Sequence, residues 1–145
     1  MGASHFCLIP IGTSSWTNHL YESFFAGCIP VILSDNYGVP FTDMLDWSKF
    51  SIKWPMHKVS IELYNYLRSR PLSTIKALKE NVDKLTCWFD YHRTYEKPGE
   101  HCSPYKGMMH TLERRKRSFE PRLPDFWAPM AELADFPFVP VDPQS

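Results

Sequence analysis

The stretch that most limits the fold is residues 5–33, where short apolar runs alternate with turn chemistry. His5-Phe-Cys-Leu-Ile9 reads as a buried strand closed by Pro10, and Gly12-Thr-Ser-Ser15 follows as a loop of small residues and hydroxyls. Trp16 to Ala26 then predicts a helix, because Trp16, Leu20 and Phe24 recur every four residues and Gly27 suits a C-terminal stop. Ile29-Pro-Val-Ile-Leu33 is a second strand-like run, ended by Ser34-Asp-Asn36. Strand, loop, helix and strand in such close succession make a βαβ unit. A unit of that kind needs a parallel sheet with helices packed over it.

The rest of the chain extends that α/β pattern. Phe50-Ser-Ile-Lys-Trp54 alternates like a further strand ended by Pro55. Ile61 to Leu67 and Leu72 to Phe89 predict helices, the second with Ile75, Leu78, Val82 and Leu85 at three- and four-residue spacing. Tyr95 to Gly107 contains Pro98, Gly99 and Pro104 and predicts a loop, followed by a short helix from Met108 to Arg117 that ends in Arg114-Arg-Lys-Arg117. From Pro121 on, six prolines fall in 25 residues, so residues 1–118 read as the domain and 119–145 as an extended or disordered tail.

Charge narrows the function classes. Sixteen Lys and Arg balance sixteen Asp and Glu, so nothing global argues for nucleic acid or an acidic membrane surface as partner. Every Lys and Arg lies at or after Lys49, so residues 1–48 hold four acids, Glu22, Asp35, Asp43 and Asp46, and no permanent cation. An anion bound there must be held by backbone, hydroxyls or histidine. No apolar run is long enough for a membrane helix, and Met1 is not followed by a signal-peptide pattern. The four cysteines show no zinc-like spacing, so no metal site is expected, and their even number permits disulfides without requiring them.

Residues 10–22 hold the candidate chemistry. A strand feeding a small-residue loop into a helix start gathers backbone N–H groups and the positive end of the helix dipole at one point, which suits a phosphate. Gly12 permits close approach, and Thr13, Ser14 and Ser15 add hydroxyl donors. At 100° per residue Ser15, Asn18, His19 and Glu22 share one helix face, with Glu22 roughly 10 Å along the axis from Ser15. That spacing suits a diphosphate at the helix start and a ribose diol on the carboxylate. The same four residues also fit the solvated face of an amphipathic helix.

The succession Phe6-Cys-Leu-Ile-Pro10, Gly12-Thr-Ser-Ser-Trp16, Leu20-Tyr-Glu22, Ala26-Gly-Cys-Ile-Pro-Val31, Ser34-Asp35, Pro40-Phe41 and Leu45-Asp-Trp47 resembles the C-terminal half of the exostosin-like glycosyltransferases, family 47. The match is dense over residues 4–55 and thinner to Arg117. The resemblance implies a Rossmann-like parallel sheet forming part of the C-terminal half of a two-domain GT-B glycosyltransferase. It implies inverting transfer from a nucleotide-sugar, such as a UDP-sugar, to a glycan or glycoprotein hydroxyl, with no cofactor and no bound metal. It also implies a membrane-anchored Golgi protein and a second glycosyltransferase chain as a partner. Carried onto this chain, Gly12, Thr13, Ser14 and Ser15 would cradle the diphosphate and Glu22 would bind the ribose. Asp35 to Phe41 would lie near the cleft, although Asp35 also reads simply as a turn residue after a strand.

Two departures from the family pattern matter. The family commonly has an arginine where this chain has His19, so an imidazole, with an ordinary pKa of about 6.5, replaces a permanent cation beside a leaving diphosphate. The half of such an enzyme expected to help bind acceptor is not among these 145 residues, and no general base is assigned. His5, His57, His92, His101 and His110 qualify only by residue type. The alternative function is therefore a truncated or degenerate, non-catalytic partner of a glycosyltransferase.

Cys7 and Cys28 bracket the βαβ unit, where adjacent parallel strands bring such positions within bridging range; a disulfide and two buried thiols are both open readings, and Cys87 and Cys102 have less to link them. Arg114 to Arg117 reads as a solvated helix end before it reads as a contact to an anionic glycan. Trp16, Phe24, Phe25, Trp47, Phe50 and Trp54 read mostly as core rather than as a sugar platform.

Overall fold

The computed structural model describes residues 4–12, 17–92 and 102–117. Strand β1 (Phe6–Pro10), helix α1 (Asn18–Phe25) and strand β2 (Ile29–Leu33) build the expected βαβ unit. The strands pair in parallel, Phe6 opposite Ile29 and Pro10 opposite Leu33. Strand β3 (Ile52–Trp54) adds to the other side of β2, also parallel, with Val31 opposite Ile52. The order β1-β2-β3 puts β2 in the centre, and all five of its residues are buried. Pro30 is tolerated there because β3 pairs only from Val31 onward, so one side of β2 has no ladder to serve at that residue. On β1, an edge strand, Leu8 is 52% exposed.

Helices cover both sheet faces, as a parallel sheet requires. On one face Ile9 and Ile32 meet Leu20 and Phe24 of α1 and the C-terminal end of helix α3 (Leu72–Leu85) at Val82 and Leu85. On the other, Ile29, Val31, Leu33 and Ile52 meet Leu63 of helix α2 (Ile61–Arg68) and Ile75 and Leu78 of α3. The first core is aromatic. Phe24 stacks flat on Phe89 at 4.6 Å between ring centroids and meets Trp47 edge-on at 5.9 Å. A phenylalanine so buried contributes about 2–3 kcal/mol. Phe24, Trp47 and Phe50 are thus core, as expected, whereas Phe25 is 55% exposed and Trp54 packs half-buried on Tyr66.

Several boundaries differ from the sequence expectation, each for a local reason. α1 begins at Asn18 rather than Trp16, because Thr17 has extended backbone and its side chain accepts the His19 N–H at 3.3 Å, making it the N-cap. Its end is as expected: Gly27 takes the left-handed φ of +60°, which only glycine adopts without strain. Phe50 and Ser51 are not strand. A single 3₁₀ turn, Trp47–Lys49, comes first, with Asp46 accepting the Ser48 N–H at 3.1 Å. α3 stops at Leu85 and gives way to a 3₁₀ turn, Thr86–Trp88.

The expected loop running to Gly107 is overturned at its C-terminal end, where helix α4 (Pro104–Arg117) already starts at Pro104. Proline suits a first helical position, since its missing N–H has no helical partner there, and Ser103 Oγ accepts the Lys106 N–H at 3.2 Å. Residues 95–101 of that loop and the tail at 119–145 lie outside the described residues.

Both cysteine pairs are disulfides. Cys7–Cys28 ties β1 to the start of β2, and Cys87–Cys102 ties the 3₁₀ turn after α3 to the start of α4; each has a Cα separation of 5.7 Å, within the ordinary range.

Candidate functional site

In an open parallel sheet the chain leaves each strand at its C-terminal edge, and the loops there converge on ligands. Here those loops are residues 11–17 after β1 and 34–46 after β2. Of the expected phosphate cradle, Gly12 is exposed beside the end of β1, whereas Thr13, Ser14 and Ser15 lie outside the described residues.

The start of α1 is more committed than its sequence implies. The His19 amide is held by the Thr17 side chain, the Leu20 amide donates to the Thr17 carbonyl at 3.2 Å, and the Thr17 amide donates to the Tyr37 hydroxyl at 3.1 Å. The helix dipole still presents its positive end, but these three N–H groups already have partners inside the protein. The axial arithmetic from Ser15 also changes. With Thr17 as cap, the distance is counted from Thr17, and Glu22 stands about 7.5 Å along the axis from it.

One expected pair is brought together. His19 Nδ1 lies 3.0 Å from Glu22 Oε2, one turn apart on the exposed face of α1, with side chains 58% and 55% exposed. The carboxylate accepts when Nδ1 carries the proton. The pair therefore offers a carboxylate and an imidazole side by side, in water and next to the strand ends.

Behind this face stand phenols that the sequence reading did not single out. Tyr21 packs edge-on against Phe89 at 5.8 Å. Burial pushes its pKa above the ordinary tyrosine value, and the neighbouring Tyr37 and Tyr91 add to the shift. Burial likewise pushes Tyr37 up, against the opposing effect of the Thr17 amide. No local pattern around Tyr37 announces it, since its partner is twenty residues away.

The loop after β2 is braced from below. Ser34 Oγ accepts the Asn36 N–H at 3.2 Å, forming the turn that leaves Asp35 exposed. Trp47 Nε1 donates to the Pro40 carbonyl at 2.9 Å. Phe41, with φ +57°, lays its ring against Gly107 of α4. Thr111 Oγ1 donates to Asp43 Oδ1 at 3.2 Å, and Arg114 donates to the Asp43 carbonyl at 2.8 Å. Arg114 is thus turned inward, not a solvated helix end as expected; the side chains of residues 115–117 are outside the described set.

The histidines considered as bases do not converge. His5 lies before β1, at the opposite end of the sheet from the loops, and His57, His92 and His110 are exposed on separate elements. His101 is outside the described residues. Among the described residues no three His, Cys, Asp or Glu side chains group as metal ligands, and no helix is long and apolar enough to cross a membrane.

The fold is that of a mixed α/β protein with a small parallel three-stranded sheet, compatible with a Rossmann-like arrangement. The exostosin GT47 domain matches residues 1–69, and the similar proteins carry glycosyltransferase and exostosin names, which supports an exostosin-like GT47 assignment. It is 35% identical over 85 residues to a protein of Arabidopsis thaliana named "Probable glycosyltransferase", covering 59% of this chain and 18% of that one. Exostosin-1 of Drosophila melanogaster is 34% identical over 94 residues, 65% of this chain and 12% of its own length. Exostosin-2 of Homo sapiens is 33% identical over 84 residues, 58% of this chain and 11% of its own length. The chain therefore spans less than a fifth of these relatives.

Proposed function

We propose that this chain is the donor-binding part of an exostosin-like glycosyltransferase, the C-terminal portion of a two-domain GT-B arrangement. The transfer is of a sugar from a nucleotide-sugar, a UDP-sugar in this reading, to a glycan or glycoprotein hydroxyl with inversion. The observation that carries it is the His19–Glu22 pair, exposed on α1 where the loops leave the parallel strands.

Each residue has a distinct task. Glu22 keeps its second carboxylate oxygen for a ribose hydroxyl while Oε2 faces His19. With Nδ1 directed at that carboxylate, the imidazolium form of His19 keeps Nε2–H for the diphosphate, the place of the family's arginine. Because the Thr17, His19 and Leu20 amides are already bonded, the phosphates are held by Gly12, Thr13, Ser14 and Ser15 rather than by the first turn of α1. Two disulfides suit an oxidising compartment such as the Golgi lumen, which is where the family reading puts the protein.

A non-catalytic role as partner of a second glycosyltransferase chain is the second reading, favoured by one observation: an imidazole engaged with Glu22 Oε2 stands where the family has a permanent cation. Calorimetric titration of UDP separates the two. The donor reading expects binding that weakens in Glu22→Ala and tightens in His19→Arg, where a permanent cation replaces the imidazole. No UDP binding by either the wild type or His19→Arg favours the non-catalytic role.

A further inference from the structure

Helix α2 shows water a side that a surface helix ordinarily makes polar. Leu63 is buried, with Tyr66 and Leu67 half-buried beside it against the sheet. At 100° per residue the opposite side of the helix carries Ile61, Tyr64, Asn65 and Arg68. Ile61 is 68% exposed and Tyr64 55%, and the 3₁₀ turn Met56–Lys58 with Val59 behind it adds Met56 at 51% and Val59 at 46%. Neighbouring large apolar side chains left in water mark a surface meant to be covered.

The charge around this patch is one-sided. Residues 49–70 hold five cations, Lys49, Lys53, Lys58, Arg68 and Arg70, against the single acid Glu62, which the neutral total of the chain conceals. Both arginines are laid on tyrosines. Arg68 donates to the Tyr64 hydroxyl at 3.2 Å, and the Arg70 guanidinium lies 4.0 Å from the centre of the Tyr66 ring, which packs in turn on Trp54 at 4.9 Å. Among the described residues neither arginine pairs with a carboxylate, and the buried Arg70 Nε–H has no acceptor. A guanidinium held flat on a ring keeps its terminal N–H groups in position for a planar anion.

We propose that the outward side of α2, with the turn before it, docks a protein chain that presents an apolar centre rimmed by carboxylates. Methionine, isoleucine, tyrosine and arginine side by side are the composition of a protein contact, and tyrosine and arginine are the residues that commonly anchor one. An acidic glycan would engage the arginines but leave Met56, Val59 and Ile61 uncovered. A second copy docked through the same patch would set Lys58, Arg68 and Arg70 against their own images, and like charges so placed repel. The surface lies on the opposite sheet face from α1, so it is independent of what His19 and Glu22 bind.

The test is an NMR titration of the full isotope-labelled chain with three probes: an amphipathic helical peptide whose leucine side is flanked by glutamates, the same peptide with lysines for glutamates, and an oligouronide. Amide shifts from Met56 to Arg70 are expected with the glutamate peptide, bound about 10-fold more tightly than the lysine peptide. Arg68→Glu should reduce that preference by about 5-fold, and Ile61→Asp should weaken the glutamate peptide by about 10-fold. Both positions are exposed, and thermal melts check that both variants are folded. Equal binding of the two peptides, shifts that fall elsewhere, or no shifts at all would overturn the proposal. So would tighter binding of the oligouronide at this face, which makes it a glycan site, or shifts in α2 on concentrating the chain alone, which makes it a self-contact.

Discussion

Replacing Gly107 by alanine should destabilise the protein, against the ordinary rule for a helix. Gly107 lies within α4, where alanine gains about 0.8–1.0 kcal/mol over glycine in helix propensity. A Cβ at this position, however, would lie 2.8 Å from Cε1 and Cζ of Phe41 and 3.2 Å from Cδ1. That ring has little room to retreat, because Phe89 and Trp88 stand 5.8 and 6.4 Å from it between centroids and its own backbone is held at φ +57°. Forced repacking of this kind costs about 1–3 kcal/mol. The difference is a net loss of about 1 kcal/mol, or about 3–4 °C in Tm for a chain of this size. Thermal and urea melts of Gly107→Ala, made in wild-type and Phe41→Ala backgrounds, form the double-mutant cycle. Removing the Phe41 ring should reverse the sign and let Gly107→Ala stabilise by about 1 kcal/mol, its helix-propensity gain. A stabilisation of equal size in both backgrounds would refute the packing of Phe41 on α4.

The disulfides and the phenols give two further expectations. Reducing Cys87–Cys102, which closes a separation of 15 residues, should cost about 3 kcal/mol, and Cys102→Ser should reproduce the loss in a melt without reductant; an unchanged Tm under reductant counts against the bond. Burial holds the Tyr21 and Tyr37 pKa values above 10.0, so the folded state keeps protons that the unfolded state releases. Stability is then fully present below pH 10 and falls as pH rises through the folded-state values. Absorbance titration of the tyrosines alongside circular dichroism should show a late-titrating subset whose ionisation accompanies unfolding, and Tyr21→Phe should remove part of it.

The βαβ unit was legible because its signals are local. Apolar runs bounded by Pro10, Gly27 and the Ser34-Asp35-Asn36 turn fix the strands, and the four-residue recurrence of Leu20 and Phe24 fixes the buried side of α1. Where two local signals compete, the reading slips. Trp16 continues the apolar period, but Thr17 caps the helix, and a side-chain acceptor at a helix start prevails over one more turn of periodicity. Pro104 reads as a loop residue until Ser103 is seen as the cap before it. The candidate site was half legible: the His19–Glu22 contact follows from helix geometry, while Tyr37 on Thr17, Phe41 on Gly107 and Arg114 on Asp43 join residues far apart in sequence. Such contacts are settled by the packed core, and no spacing rule reaches them.

The outer side of β1 carries one last consequence. Leu8 is exposed on a strand that, among the described residues, has a neighbour on one side only, and residues 1–48 contain no lysine or arginine to guard it. Natural sheets commonly protect such flanks with charge that repels a second copy. Produced by itself, this chain should be handled as one with an open seam: dilute, with self-association monitored from the start, and with Leu8→Lys as the substitution that closes the seam without touching the strand-end loops.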